Sequence, residues 1–338
     1  IYDNSILSDL LKQGFMPKSR TSTDVLFFVY IRGNSMGFRV FMIESDVRLS
    51  IKLDNLIVKK EEKETWIPID DISMLVVDNL KIEMTTRMLC SFAKHNVGIL
   101  FCDQEHLPIG FYSSYDNHSR VSKNIGYQIN KDREFYDQLW KEIVLAKIQN
   151  QIGVLEILDK NIEKIEQLSR FCKEITPGDE TNREAHAAKV YFNELMGTSF
   201  SRGNEDLVMN AGLDYGYSIL RSYLARVCVA YGLNSQLGIH HCNEYNRFNL
   251  VDDLIEPFRP YVDLLTYHLL NGEKYLQIEH RHKLVNLLNH IVLYDEKKMY
   301  LCNVMETYVA KVASLICGKN SKIVYPDIRG YVGEEDEI

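Results

Sequence analysis

Between residues 38 and 112 apolar and polar positions alternate in short runs: "FRVFMI" (38–43), "LSIKL" (49–53), "LIVKK" (56–60), "WIPI" (66–69), "SMLVV" (73–77), "VGILFCD" (97–103) and "LPIGFY" (107–112). A period near two, β-branched enrichment and the Asp54-Asn55 pair between two runs predict strands, with an Asx turn joining the second to the third. One helical stretch, "TTRMLCSFAKHN" (85–96), interrupts them. After the polar segment 113–124 the period lengthens. "FYDQLWKEIVLAKIQNQIGVLEIL" (135–158) and "GYSILRSYLARVCVAYGL" (216–233) read as long helices. The expected fold class is α+β: a small, mostly β domain over 36–112, a linker over 113–124, and a larger all-α catalytic domain over 125–318. A tail over 319–338 closes the chain. No repeat of 20–50 residues is visible, which removes solenoid architectures.

The first 35 residues break this order and end in "RGNS" before Met36. They are expected to be a poorly ordered or non-native leader. No A-x-A cleavage site follows their apolar run "VLFFVYI", and its seven residues fall far short of the roughly 20 a membrane span needs. No membrane association is expected.

The chain has 338 residues, 46% of them hydrophobic and 25% charged, enough to bury a sizeable core. Seven cysteines, none in a C-x-x-C pair, suggest neither a disulfide framework nor a zinc ribbon and fit a reducing cytoplasm. The formal charge of -8 argues against a nucleic-acid partner at first sight. The tail "EEDE" (334–337) supplies four of those charges, however, and local basic clusters survive a net negative balance.

Candidate chemistry centres on "LGIHHCNEYNRFNLVDDLIEPFRP" (237–260), where two histidines precede Asp252, Asp253 and Glu256 and two prolines interrupt the helix. Asn249 can cap this segment, and the two aspartates can favour its positive end. Glu256 lies a turn further in, beside Pro257, where neither role applies. Imidazole with carboxylate oxygens, without H-E-x-x-H or paired cysteines, suits an octahedral Mg²⁺ or Mn²⁺ rather than zinc. Glu184 offers a further carboxylate, although Thr181 three residues earlier makes a capping box the plainer account of it. Carboxylates gathered around an empty site repel, so their removal is expected to be neutral or stabilising. "EHRHK" (279–283), with its mixed charges, reads as a solvated helix face.

"NREAHAAKVYFNELMG" (182–197), "MNAGLDYGYSILRS" (209–222), "GLNSQLGIHH" (232–241) and "NLVDDLIEPFRP" (249–260) together resemble the successive motifs of the CRISPR adaptation integrases. The likeness is greatest to the versions from single-effector (type II) systems, and it runs from Met36 to about Asp327. It implies a metal-dependent DNA endonuclease and integrase that inserts captured fragments as new spacers, by attack of a 3′-hydroxyl on repeat phosphodiesters. It also implies catalytic and metal-binding roles for Glu184, His241 and Glu256, the last two 15 residues apart, with Asp253 at a position that is often acidic. His240 is an additional histidine beside the motif. Arg183, Lys189, Arg202, Arg221, Arg247 and Arg259 are candidate phosphate contacts. The implied partners are double-stranded DNA, a second copy of the chain through the β domain, and a small ferredoxin-fold companion in a heterohexamer. The effector nuclease of the same system is a further candidate. A metal-dependent nuclease of branched DNA that integrates nothing, and a non-catalytic helical scaffold that binds nucleic acid, remain open alternatives.

Overall fold

The structure is a computed structural model that describes residues 39–115, 118–204, 207–319 and 321–334. The expectation for residues 1–35 lies outside the described residues.

The β-rich part holds two four-stranded sheets. The first contains β1 (Arg39–Ile43), β5 (Ile72–Val77), β7 (Gly98–Cys102) and β8 (Pro108–Tyr112) in that order, the first three parallel. The second is β4 (Lys63–Pro68), β3 (Asn55–Lys60), β2 (Arg48–Lys52) and β6 (Glu83–Met84). Lys52 pairs with Asn55, and both residues between them, Leu53 and Asp54, have positive φ. The turn therefore sits one residue earlier than the expected Asp54-Asn55.

Strand alternation divides the first sheet between two cores. Phe41, Ile43, Leu75, Val77 and Ile99 face the second sheet and helix α1 (Thr86–Lys94), through Leu49, Leu56, Val58, Met88 and Phe92. Val40, Met42, Met74, Val76 and Leu100 face the helical region and join its core. Burial on both faces explains why "ISMLVV" is apolar at every position but Ser73, whose hydroxyl donates to the Arg39 carbonyl.

The helical region comprises α2 (Val121–Ile129), α3 (Arg133–Ile157), α4 (Ile162–Glu174), α5 (Arg183–Met196), α6 (Val208–Ala230), α7 (Asn249–Leu254), α8 (Arg259–Leu270), α9 (Ile278–Asn286) and α10 (Leu301–Ile316). Helix α2 begins within the stretch expected to be a linker. Helices α6 and α8 pack closely because Gly212 and Gly216 present no side chain. A methyl group on Gly216 would stand 2.5 Å from Val262 Cγ1.

Two expectations need correction. The helical region is not all-α. A hairpin of β9 (Ile291–Tyr294) and β10 (Lys297–Tyr300), joined by β11 (Tyr331–Gly333), forms a three-stranded sheet. Asp295 and Glu296 take positive φ at its turn, an uncommon choice of residues that hid the hairpin. Nor is "EHRHK" a solvated face. Arg281 and His282 are buried, with Arg281 Nε 3.4 Å from Asp78 Oδ2 and His282 Nε2 2.5 Å from Glu44 Oε1. These contacts join helix α9 to the ends of β5 and β1. Asn289 adds to the junction: its side-chain amide bonds both the N–H and the C=O of Val40, each at 3.2 Å, and so covers the edge of β1.

Candidate active site

Helix α3 supplies the floor. Lys147 lies on its core-facing stripe with Val144, Ile148, Asn150 and Gln151, and its side chain is 9% exposed. An ammonium there needs anionic partners, since burying a lone charge is prohibitive. Two glutamates provide them: Lys147 Nζ is 2.6 Å from Glu184 Oε1 and 2.5 Å from Glu256 Oε2.

Glu184 enters from the first turn of α5. The capping box expected from Thr181 does not form. Asp179 caps the helix instead, accepting the N–H groups of Arg183 and Glu184 at 2.9 Å each, which leaves the Glu184 carboxylate to Lys147. Glu256 begins the single 3-10 turn Glu256–Phe258 that follows α7. Asn150, one turn along α3 from Lys147, donates to the Pro257 carbonyl at 2.7 Å and fixes that turn against the helix. Arg259 closes the other side, its Nε 2.9 Å from Glu256 Oε1 and its guanidinium over the Tyr217 ring. Behind it Tyr217 donates to the buried Asp263, whose pKa burial pushes up to about 6.

His241 reaches the site from the loop between α6 and α7, and Asp253 holds that loop. Asp253 is completely buried and accepts from Ile239 N at 2.6 Å, His240 N at 2.9 Å and His241 N at 3.2 Å. Its Oδ1 also lies 2.5 Å from His241 Nδ1. The loop wraps so tightly that a methyl group on Gly238 would stand 2.1 Å from the His241 carbonyl oxygen. Asn249 is not the cap of α7; it lies inside the helix and ties the loop through the carbonyls of Gln236 and Asn243. Asp252 pairs with Arg221 at 2.8 Å.

Electrostatics follow from these contacts. The hydrogen bond to Asp253 raises the His241 pKa, against burial, with the charges of Asp253, Glu256 and Glu184 adding to it. Burial lowers that of His240, whose ring stacks on Trp140 with centroids 4.4 Å apart. Burial opposes ionisation of Glu256, but Arg259 and Lys147 together outweigh it and hold the carboxyl below its ordinary value. Lys147 is likewise disfavoured by burial and then raised above its ordinary value by Glu256 and Glu184.

Among the described residues no three His, Cys, Asp or Glu side chains form a closed ligand cluster, and Lys147 stands between Glu184 and Glu256. The donor set nevertheless fits a divalent cation. Two carboxylates converge on one positive charge, and Glu256 Oε2, buried, meets it without hydrogen-bond angles. With Nδ1 turned to a carboxylate, His241 keeps Nε2 for a ligand, the arrangement by which a carboxylate that does not itself touch the metal orients a metal-binding imidazole. Asp253 gives its oxygens to the loop and so takes that supporting position.

The basic candidates separate. Arg183 pairs with Glu174, Arg202 with Asp214, Arg221 with Asp252 and Arg259 with Glu256. Lys189 and Arg247 are exposed. Arg247 lines a cleft of about 740 Å³ beside His241, with Arg133, Asn243 and Tyr245. Lys147 and Asn150 were missed from sequence. The available signal was a charge and an amide on the apolar stripe of an otherwise ordinary helix.

A family profile described as "CRISPR associated protein Cas1" matches residues 40–301. The chain belongs to the CRISPR associated protein Cas1 family. A CRISPR-associated endonuclease Cas1 from Neisseria meningitidis serogroup C (strain 8013) is 35% identical over 234 residues, which are 69% of this chain and 76% of that protein. Two solved structures share the Cas1-like fold. A casposase bound to an integration product aligns with a TM-score of 0.66 at 20% identity, over 88% of this chain and 95% of the casposase. A chain of a Cas6-RT-Cas1–Cas2 complex aligns with a TM-score of 0.66 at 19% identity, over 88% of this chain and 37% of that one. No helix among the described residues is long and apolar enough to cross a membrane.

Proposed function

We propose that this chain is a divalent-metal-dependent DNA endonuclease and integrase, which inserts captured double-stranded fragments into a CRISPR array. The observation that carries the reading is the meeting of Glu184 and Glu256, from two separate elements, on Lys147, with the Asp253-oriented His241 near enough for both carboxylates to raise its pKa. Glu184, Glu256 and His241 Nε2 would hold Mg²⁺ or Mn²⁺, which supplies Lewis acidity toward the target phosphate. Arg259 and the Asn150-bound Pro257 turn fix Glu256 in place. Asp253 holds His241 Nδ1 and sets the ring's orientation. Lys189 and Arg247, the exposed members of the basic set, contact backbone phosphates.

Two further parts of the reading concern assembly. The edge strands β4 and β8 expose Trp66 and Ile109, which supports a second copy of the chain docking through the β region. The chain of like fold in a Cas6-RT-Cas1–Cas2 complex supports a Cas2-type companion.

The test asks which oxygen attacks. Integration uses the terminal 3′-hydroxyl of the incoming strand, aligned with the target phosphate. With companion and Mn²⁺ present, a fragment bearing 3′-hydroxyl ends is expected to join to repeat DNA, and one ending in a dideoxynucleotide to give no joined product. Cleavage of the repeat at one rate with both fragments would make water the nucleophile and end the integrase reading.

A further inference from the structure

Lys147 has no part in the chemistry described so far, yet it occupies the centre of the site. Its ammonium touches Glu184 Oε1 and Glu256 Oε2 at once. The two oxygens therefore lie no further apart than those contacts laid end to end. A divalent ion held by the same two oxygens would sit where the ammonium now stands, at about 2.0–2.1 Å from each for Mg²⁺. The two cations cannot share the place, since like charges at contact distance repel strongly. Nor can the backbone move aside as a unit, because Lys147 is rooted midway along a helix whose Val144, Ile148, Asn150 and Gln151 are all buried. Only its flexible side chain can give way.

We propose that Lys147 is a resident counter-cation that competes with the divalent ion for Glu184 and Glu256. It keeps the carboxylates gathered while the metal is absent and leaves them when the metal binds. The inference rests on the metal-site reading above. A site lined by two glutamates alone would spread by repulsion or take up a proton. The lysine preserves the shape of the site, and the cost is weaker metal affinity.

Mn²⁺ binding measured at neutral pH by electron paramagnetic resonance, with melting curves in EDTA and at saturating Mn²⁺, tests this. Lys147→Met and Lys147→Gln should each bind Mn²⁺ about ten-fold tighter or more than the unaltered chain. Both should melt lower in EDTA and regain most of that loss with Mn²⁺. Unchanged or weaker Mn²⁺ binding would overturn the proposal. So would a melting deficit equal with and without Mn²⁺, or failure to fold at saturating Mn²⁺, since each makes the lysine purely structural. Glu256→Gln separates the two readings. Loss of Mn²⁺ binding in that variant supports the site, whereas binding as in the unaltered chain would remove the metal assignment itself.

Discussion

Glu256→Ala is expected to eliminate strand joining and also to destabilise the metal-free chain. Activity should fall by at least about 10²–10³-fold, the scale on which a single preorganised charge contact acts. Stability should fall by about 3–5 kcal/mol, because the substitution takes the shared anion from Arg259 and leaves the buried Lys147 with Glu184 alone. This reverses the sign expected from sequence, where carboxylates around an empty site would only repel. Glu184→Ala should cost less, about 1 kcal/mol, since Glu184 is a quarter exposed and Glu256 still compensates Lys147. Circular dichroism melts in EDTA beside a joining assay check both variants. A Glu256→Ala chain as stable as the original would mean that the buried charges are compensated elsewhere.

Asp253→Asn should show the second-largest effect, and by a different route. The carboxylate takes two donors on each oxygen: Ile239 N and His240 N on one, His241 N and His241 Nδ1 on the other. Asparagine keeps one acceptor and turns an NH₂ toward the remaining donors. A loss of roughly 3 kcal/mol follows from hydrogen bonds to a buried charge. Metal affinity should fall about 10–100-fold as His241 loses its orienting partner. His240→Ala should leave metal affinity nearly unchanged, because that ring is stacked on Trp140. Equal losses of Mn²⁺ affinity for His240→Ala and His241→Ala would sink this division of roles.

Periodicity carried most of the architecture. The strands and long helices announced themselves by alternation and by a 3.6-residue repeat, since each buries one defined face. What stayed hidden depended on partners distant in sequence. Arg281 and His282 looked solvated because Asp78 and Glu44, which they contact, lie far away in sequence, just past the ends of β5 and β1. The capping box of Thr181 and Glu184 failed for a local reason instead: Asp179, two residues before Thr181, accepts the N–H groups of the first turn. Motifs supplied the proposed ligands Glu184, His241 and Glu256, whereas no motif pointed to Lys147. An isolated lysine in an apolar helix has no meaning until the two glutamates are placed around it.

The central claim is that Glu184, Glu256 and His241 share one divalent ion that Lys147 excludes until it binds. Crystals of the chain grown with Mn²⁺, and its anomalous scattering, test this most directly. The account predicts one strong manganese peak within coordination distance of a Glu184 oxygen, a Glu256 oxygen and His241 Nε2, with Asp253 still on Nδ1 and Lys147 withdrawn from both carboxylates. Manganese bound through His240, or Lys147 still clasped between the two glutamates at saturating Mn²⁺ with no peak beside them, would contradict it.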